Sequence, residues 1–447
     1  MKHLPTIIPK LGIVSFLVVI LCIAGACASA PVADFTTNIT SDSPLTVSFQ
    51  DQTANDPAGW VWFFGDENFS VPWTEVTADA GWQPRHSTSA AVTPDGTIVM
   101  TGGIGSIDWL SDTWRSTDDG ATWELANESF IGEGIGRIAH STVAMPNGDI
   151  VVIGGSLPDV LRSTDKGSTW TQISDFPGEV PSFQSCVVLP DGSIVMMGGE
   201  TLTDTWHVVS DVWRSADEGS TWTHVTADAP WGPRVKSQTV VLPDGDIVLM
   251  GGNKEDSTGP KDDVWKSTDG GASWTLVNAS AGWLPHGEGF SASVLAADGS
   301  IILTGGAFTN DVWRSADEGA TWTQIKPTAE WLPRTYVTTV SMPDGKILLL
   351  GGEDQNGEEN DVWQFMPASS TQEDPSHIYD TPGSYQVTLQ AYNSAGFDTM
   401  SRVATFTVSP TVPEPVPEPV PEFPSFLLPV GLVACVIGAV LIFRKIR

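Results

Sequence analysis

Disulfide bonds cannot be what holds this protein together. Its 447 residues include only four cysteines, and three of them fall in apolar ends: Cys22, Cys27 and Cys435. Cys186 is then alone in the region able to fold in water, and its apolar strand-like setting predicts a buried free thiol. Tyrosine is equally scarce, with Tyr336 the sole example between residues 73 and 365. Basic residues are few. There are 21 Lys and Arg against 54 acids, and five of the 21 lie in residues 1–30 and 424–447, which carry no acid. The rest of the chain is therefore strongly acidic, which argues against nucleic acid and anionic lipid as partners. No nucleophile elbow, phosphate loop or clustered zinc-ligand motif occurs.

What the sequence has in abundance is glycine, tryptophan and repetition. Double glycines begin at Gly102, Gly154, Gly198, Gly251, Gly305 and Gly351, at spacings of 52, 44, 53, 54 and 46 residues. Each follows a short apolar run (97–101, 149–153, 193–197, 246–250, 300–304 and 346–350) that reads as a strand covered on both faces. Each precedes an Asp-Val-Trp phrase or a close variant, starting at Asp112, Asp159, Asp211, Asp263, Asp311 and Asp361. A further strand opens at Trp123, Trp170, Trp222, Trp274 and Trp322. The missing sixth is found upstream, because the stretch from Trp73 to Trp82 nearly repeats that from Trp222 to Trp231. A period near 50 with four strands per unit predicts an all-β, six-bladed β-propeller over residues 73–365, its last blade closed by its first strand.

The repeat, with Pro-Arg before the first strand and Gly-Gly after the second, resembles kelch repeats. The phrase Ser-x-Asp-x-Gly-x-Thr-Trp resembles the Asp-box of sialidase-like propellers, with its aspartate at Asp118, Asp165, Asp217, Asp269 and Asp317. Asp and Thr can satisfy turn amides there and Gly can supply a positive φ, so the Asp-box reads as structural. The enzymes of these families would need more than the chain offers. A sialidase-like site needs a tyrosine nucleophile beside a glutamate, and a galactose-oxidase-like copper site needs a Cys-linked Tyr, a second Tyr and two His.

The propeller interrupts another domain. Trp60-Val-Trp-Phe-Phe-Gly-Asp66 before it, and the stretch from Pro375 through His377, Tyr379, Gly383 and Tyr385 after it, together resemble one PKD domain, an immunoglobulin-like β-sandwich of cell-surface proteins. The implied boundaries are 31–72 and 366–410. A propeller whose ends lie close together can be inserted into a host loop. Here the sandwich would take the place of the sixth Asp-box hairpin. That leaves the opposite face, with its variable loops, as the candidate functional face.

That face carries Trp82-Gln-Pro-Arg85, Trp231-Gly-Pro-Arg234, Trp283-Leu-Pro-His286 and Trp331-Leu-Pro-Arg334. In kelch proteins this arginine often points to the channel mouth. The resemblance thus implies that Arg85, Arg234 and Arg334, with Arg137, ring a basic mouth suited to carboxylate or sulfate, with His286 a further ligand-binding candidate; the alternative is that the arginines bond neighbouring loops. Trp82, Trp231, Trp283 and Trp331 could stack on sugars, or pack between blades. No metal site is expected. Calcium has slight support in the acidic loops at 255–263 and 354–361, which lack EF-hand spacing. Asn38, Asn68, Asn127 and Asn278 head glycosylation sequons.

Residues 1–30 read as a secretory signal and 411–423 as a Pro/Glu-rich spacer. Residues 424–443 are long and apolar enough to span a bilayer, and 444–447 form a basic cytoplasmic tail. The order Pro421-Glu422-Phe423, apolar segment, basic tail resembles the sorting signal processed by archaeosortases. The expectation is a membrane-anchored protein of the cell surface, archaeal by that resemblance. Its work would be adhesion or recognition of a glycan, an anionic envelope polymer or another surface protein. An extracellular carbohydrate-active enzyme and a structural envelope component are the alternatives.

Overall fold

The computed structural model describes residues 29–130, 136–155, 157–179, 181–202, 206–253, 260–283 and 292–407. Most of the signal, the whole spacer, the apolar C-terminal segment and tail, and His286 lie outside the described residues. No described helix is long and apolar enough to cross a membrane.

Six four-stranded antiparallel sheets follow the repeats. The first joins Ser89–Val92, Ile98–Ile104, Trp109–Ser116 and Glu124–Asn127. The sixth joins Thr338–Ser341, Ile347–Leu350 and Val362–Phe365 to Thr74–Thr77, more than 280 residues earlier in the chain. The first strands of the six sheets touch one another in sequence order, and the last touches the first. Side chains reinforce this ring: Ser89 Oγ accepts from the Thr142 amide, Ser141 Oγ donates to the Gln184 carbonyl, and Thr338 Oγ1 donates to the Thr88 carbonyl.

The second strands are buried throughout, as the unbroken apolar runs require (Ile247–Met250, for example). Each begins one residue later than the apolar pattern suggests, because the preceding residue completes an Asp-Gly or Asn-Gly turn. Two predicted loops are partly strand. In the first sheet the ladder continues past the double glycine to Ile104↔Trp109, and in the fifth to Gly306↔Thr309. The third sheet carries a separate small sheet of Pro181–Ser182, Glu200–Leu202 and Trp206–Val208.

One aromatic contact recurs at all six junctions between sheets. Trp82 meets Trp123, Trp231 meets Trp274, Trp283 meets Trp322 and Trp331 meets Trp73, each edge-on at 5.8–6.3 Å between ring centroids. Phe130 against Trp170 and Phe176 against Trp222, both at 5.5 Å, fill the remaining two junctions. The indole of each loop tryptophan also lies over the first glycine of a pair. At Gly251 (φ +59°) a Cβ would stand 3.1 Å from the Trp283 ring. A positive φ and a close neighbour together require glycine there.

Two three-stranded sheets lie outside the ring. Phe35–Asp42, Leu45–Asp51 and Ser376–Tyr379 form one; Gly59–Phe63, Gly383–Asn393 and Gly396–Phe406 form the other. Both draw strands from either side of the ring segment, and they share a core of Phe35, Val47, Phe49, Trp62, Phe64, Tyr379, Leu389 and Phe406. This pair sits against the turn after the sixth sheet's first strand: Gln390 Nε2 donates to the Pro343 carbonyl at 2.7 Å.

Candidate functional site

The loop arginines are not on the surface. Arg85, Arg137 and Arg234 are fully buried and Arg334 is 1% exposed. Each is ion-paired to the aspartate of the Asp-Val-Trp phrase, or its variant, at the third strand of its own sheet. Arg334 Nη1 and Nη2 reach Asp361 at 2.6 and 3.0 Å, and Arg85 holds Asp112 at 2.6 and 2.8 Å. Arg234 holds Asp263 at 2.8 and 3.1 Å, and Arg137 pairs with Asp159. The second aspartate oxygen accepts the indole N–H of Trp114, Trp265 or Trp363. Nη1 also donates to the first glycine of the pair, at Gly102, Gly251 or Gly351.

The expected basic mouth is therefore corrected. These guanidiniums are withdrawn from water and each is charge-paired with an aspartate, although Arg137 Nε and Nη1 and Arg234 Nε have no hydrogen-bond partner among the described residues. The same holds for Trp82, Trp231, Trp283 and Trp331, which are 1–2% exposed and occupied between sheets. Their alternative role, packing between blades, is the one their burial supports.

The Asp-boxes close their own turns. In the third sheet Thr221 donates its amide and hydroxyl to the two Asp217 oxygens, Ser215 Oγ accepts the Gly219 amide, and Trp222 Nε1 donates to the Gly219 carbonyl. Asp118, Asp165, Asp269 and Asp317 repeat the pattern. Desolvation raises these carboxyls, but the accepted hydrogen bonds outweigh it and hold them below the ordinary value. The sequons divide as well. Asn38 and Asn68 are exposed, whereas Asn127 Nδ2 donates to the Ser168 carbonyl and Asn278 Nδ2 to the Ala320 carbonyl. A glycan on either of the latter two would displace a bond between neighbouring sheets.

What the loops do present at the ring's centre comes two residues after the arginine position. Ser87, Ala139, Phe183, Lys236 and Tyr336 occupy this place, and all five have φ between +52° and +59°. Lys236 Nζ lies 4.5 Å from the Phe183 ring centroid and 5.5 Å from that of Tyr336. Phe183, Lys236 and Tyr336 belong to the third, fourth and sixth sheets, so this cluster bridges the opening. Tyr336 also packs on His86, 4.9 Å between centroids, and His86 Nε2 is 3.9 Å from Glu353. Burial pushes His86 below the ordinary imidazole value although Glu353 and Glu358 oppose it, and burial with Glu353 raises the Tyr336 phenol. The result is two half-buried aromatic rings around one ammonium, with a histidine and a carboxylate at the edge. This set was missed from sequence. Its one signal is a fixed offset from the Pro-Arg phrase.

Among the described residues no group of three His, Cys, Asp or Glu side chains could hold a metal ion. Asp354 turns its Oδ1 to the amides of Asn356 and Gly357.

Comparison with known proteins bears on the ring. A family model described as the DUF6242 beta propeller domain matches residues 216–366. The ring is a β-propeller. A protein named Xyloglucanase, from a Paenibacillus species, is 29% identical over 168 residues, covering 32% of this chain. The chain spans 15% of that protein's length.

Proposed function

We propose that this chain is a cell-surface recognition protein that binds glycan at its propeller's channel mouth. In this reading the six sheets are blades of one six-bladed propeller, inserted in an immunoglobulin-like sandwich of the PKD type. A signal peptide and a C-terminal anchor or archaeosortase-type sorting segment would carry it to the outer face of the membrane. The observation that carries the binding role is the cluster of Phe183, Lys236 and Tyr336 across the opening, on the loop side away from the sandwich. Aromatic faces suit the apolar faces of sugar rings, and a lysine and a glutamate supply a donor and an acceptor for hydroxyls. With the arginines paired internally, a neutral glycan fits better than an anionic polymer. The similarity to a xyloglucanase adds a carbohydrate association.

That same similarity favours the second reading, a carbohydrate-active enzyme. The two are separated by one experiment. The full chain, purified in mild detergent, is run on a polysaccharide and envelope-glycan array beside Tyr336→Ala and Lys236→Ala variants, with product analysis of any ligand found. Binding lost in both folded variants, with the glycan unchanged, supports recognition. Glycan cleavage supports the enzyme. Absence of binding, or binding indifferent to both variants, overturns the channel-mouth site.

A further inference from the structure

Two of the six repeats carry no arginine in the loop before the first strand: the fifth has His286, which lies outside the described residues, and the other is the third. In the third sheet the residue in the arginine's place is Pro181, and three observations fix the correspondence. Pro181 lies four residues before the first strand (Ser185–Val188), as Arg85, Arg234 and Arg334 lie four before theirs. Its carbonyl accepts the amide of Gly155, the second glycine of the preceding pair, as the carbonyls of Arg137, Arg234, Arg334 and Arg85 accept Gly103, Gly199, Gly306 and Gly352. The residue two further on, Phe183, has the same positive φ as its counterparts.

The rest of the arginine's surroundings is retained. Asp211 begins the Asp-Val-Trp phrase of its sheet as Asp112, Asp263 and Asp361 begin theirs, or its variant, and its Oδ2 accepts Trp213 Nε1 at 2.5 Å as theirs accept the equivalent indole. Gly198 matches the glycines whose carbonyls take Nη1. Among the described residues no lysine or arginine reaches Asp211; the nearest basic group is His224 Nε2 at 3.6 Å, stacked on the Trp213 ring. Where the side chain would lie there is a cavity of about 160 Å³, lined by Pro181, Asp211, Trp213, Phe176, Glu179 and Thr201 among others. A cavity of about 150 Å³ is enough for a benzene-sized ligand. Phe176 and Trp213 meet edge-to-face in its wall at 5.1 Å. Glu179, at the rim, accepts Thr201 Oγ1 at 2.7 Å and pairs with His207 at 2.9 Å. The side chains of Asp211 and Glu179 are 26% and 47% exposed, so the cavity is reachable from solvent.

We infer that this cavity binds a guanidinium group from outside the chain, carried either by a small molecule or by an arginine side chain. Four sister sheets show what the same aspartate takes, a guanidinium, and in three of them it is held by paired N–H donors. The third sheet keeps the acceptors and the aromatic wall, which adds a cation–π face. A compact alkylammonium would satisfy the charge but not the paired geometry.

The test is calorimetric titration of the full chain in mild detergent with methylguanidinium, with butylammonium as the comparison. An arginine-containing tripeptide, blocked at both ends, distinguishes a side-chain ligand from a free one. Saturable methylguanidinium binding is expected, at least ten-fold tighter than that of butylammonium. Asp211→Asn, which keeps an acceptor for Trp213, is expected to weaken it at least ten-fold. Pro181→Arg supplies the missing side chain, so it should abolish binding and raise the melting temperature, while glycan binding at the channel mouth is unchanged. No saturable binding to the native chain, or undiminished binding to Asp211→Asn, overturns the inference. Undiminished binding to a folded Pro181→Arg does the same, and should that variant not fold, Asp211→Asn alone decides.

Discussion

Removing one buried arginine tests the structural role assigned to all four. Arg334→Met keeps much of the side chain's volume and deletes its charge. The native guanidinium makes two bonds to Asp361, at 2.6 and 3.0 Å, and others to the Gly351 and Leu332 carbonyls at 3.1 and 3.2 Å. The Asp361 side chain is 11% exposed, so water cannot replace the lost partner. Breaking a buried pair from one side costs about 3–5 kcal/mol, chiefly through the charge left behind. At about 2–4 °C per kcal/mol, the melting temperature should fall by roughly 6–20 °C. Neutralising the orphan reverses most of this: Arg334→Met with Asp361→Asn still accepts the Trp363 N–H and should recover more than half of the loss. Denaturant titration and calorimetry on the full chain measure both variants. If Arg334→Met melts within 2 °C of the native chain, by about the same conversion the pair contributes no more than about 1 kcal/mol. The buried-anchor argument would then fail, and the arginine would return as a candidate ligand group.

Three further outcomes follow from the same packing. Trp231→Phe should cost no more than about 1 kcal/mol in denaturant titration, because Phe130 and Phe176 already serve at equivalent junctions and the Trp231 N–H has no acceptor among the described residues. Trp231→Ala should cost about 3–5 kcal/mol. His140 is buried and bonded to Thr101 Oγ1 at 2.8 Å; burial, then the Arg137 charge, push it down to about 3. Between that value and the unfolded value near 6.5 the unfolded chain binds the extra proton. Stability should therefore rise as pH rises across this window, and be lost as pH falls through it, by at most about 1.4 kcal/mol per unit. His140→Gln, which copies Gln184 at the matching place in the third sheet, should remove that component of the slope. Burial, only partly offset by a hydrogen bond with Ser141, pushes the half-buried Cys186 thiol up to about 12. Maleimide at pH 8 should label the native chain far more slowly than the unfolded one, and equal rates would refute the assignment.

The strands were legible because each rests on a local pattern that recurs: an apolar run, an Asp-Gly turn before it and a glycine pair after it. Closure by Thr74–Thr77 was legible for the same reason, since Trp73 to Trp82 copies Trp222 to Trp231. The site was not. Arg334 and Asp361 are 27 residues apart, on a loop and a strand, and nothing local says that they meet. Arginine in a polar loop reads as exposed until the strand register places an aspartate beneath it. The channel-mouth residues were hidden for a different reason. Ser87, Ala139, Phe183, Lys236 and Tyr336 have nothing chemical in common, only a shared backbone conformation. The cavity at Pro181 could be found only by comparing the sheets with one another.

The sixth sheet pairs Val362–Phe365 with Thr74–Thr77, and the outer sheets pair residues 45–48 with 376–379 and 59–63 with 388–392. During synthesis, then, the ring can close only once residue 365 has appeared, and the outer sheets only later still. Phe35–Asp42 and Leu45–Asp51 can pair at once, but Gly59–Phe63 and Thr74–Thr77 wait roughly 300 residues for their partners while five sheets are laid down between them. Nearly the whole chain has to appear before its first strands are covered. Such an arrangement folds late and slowly, and any premature stop before about residue 390 would leave open strand edges exposed to neighbouring chains.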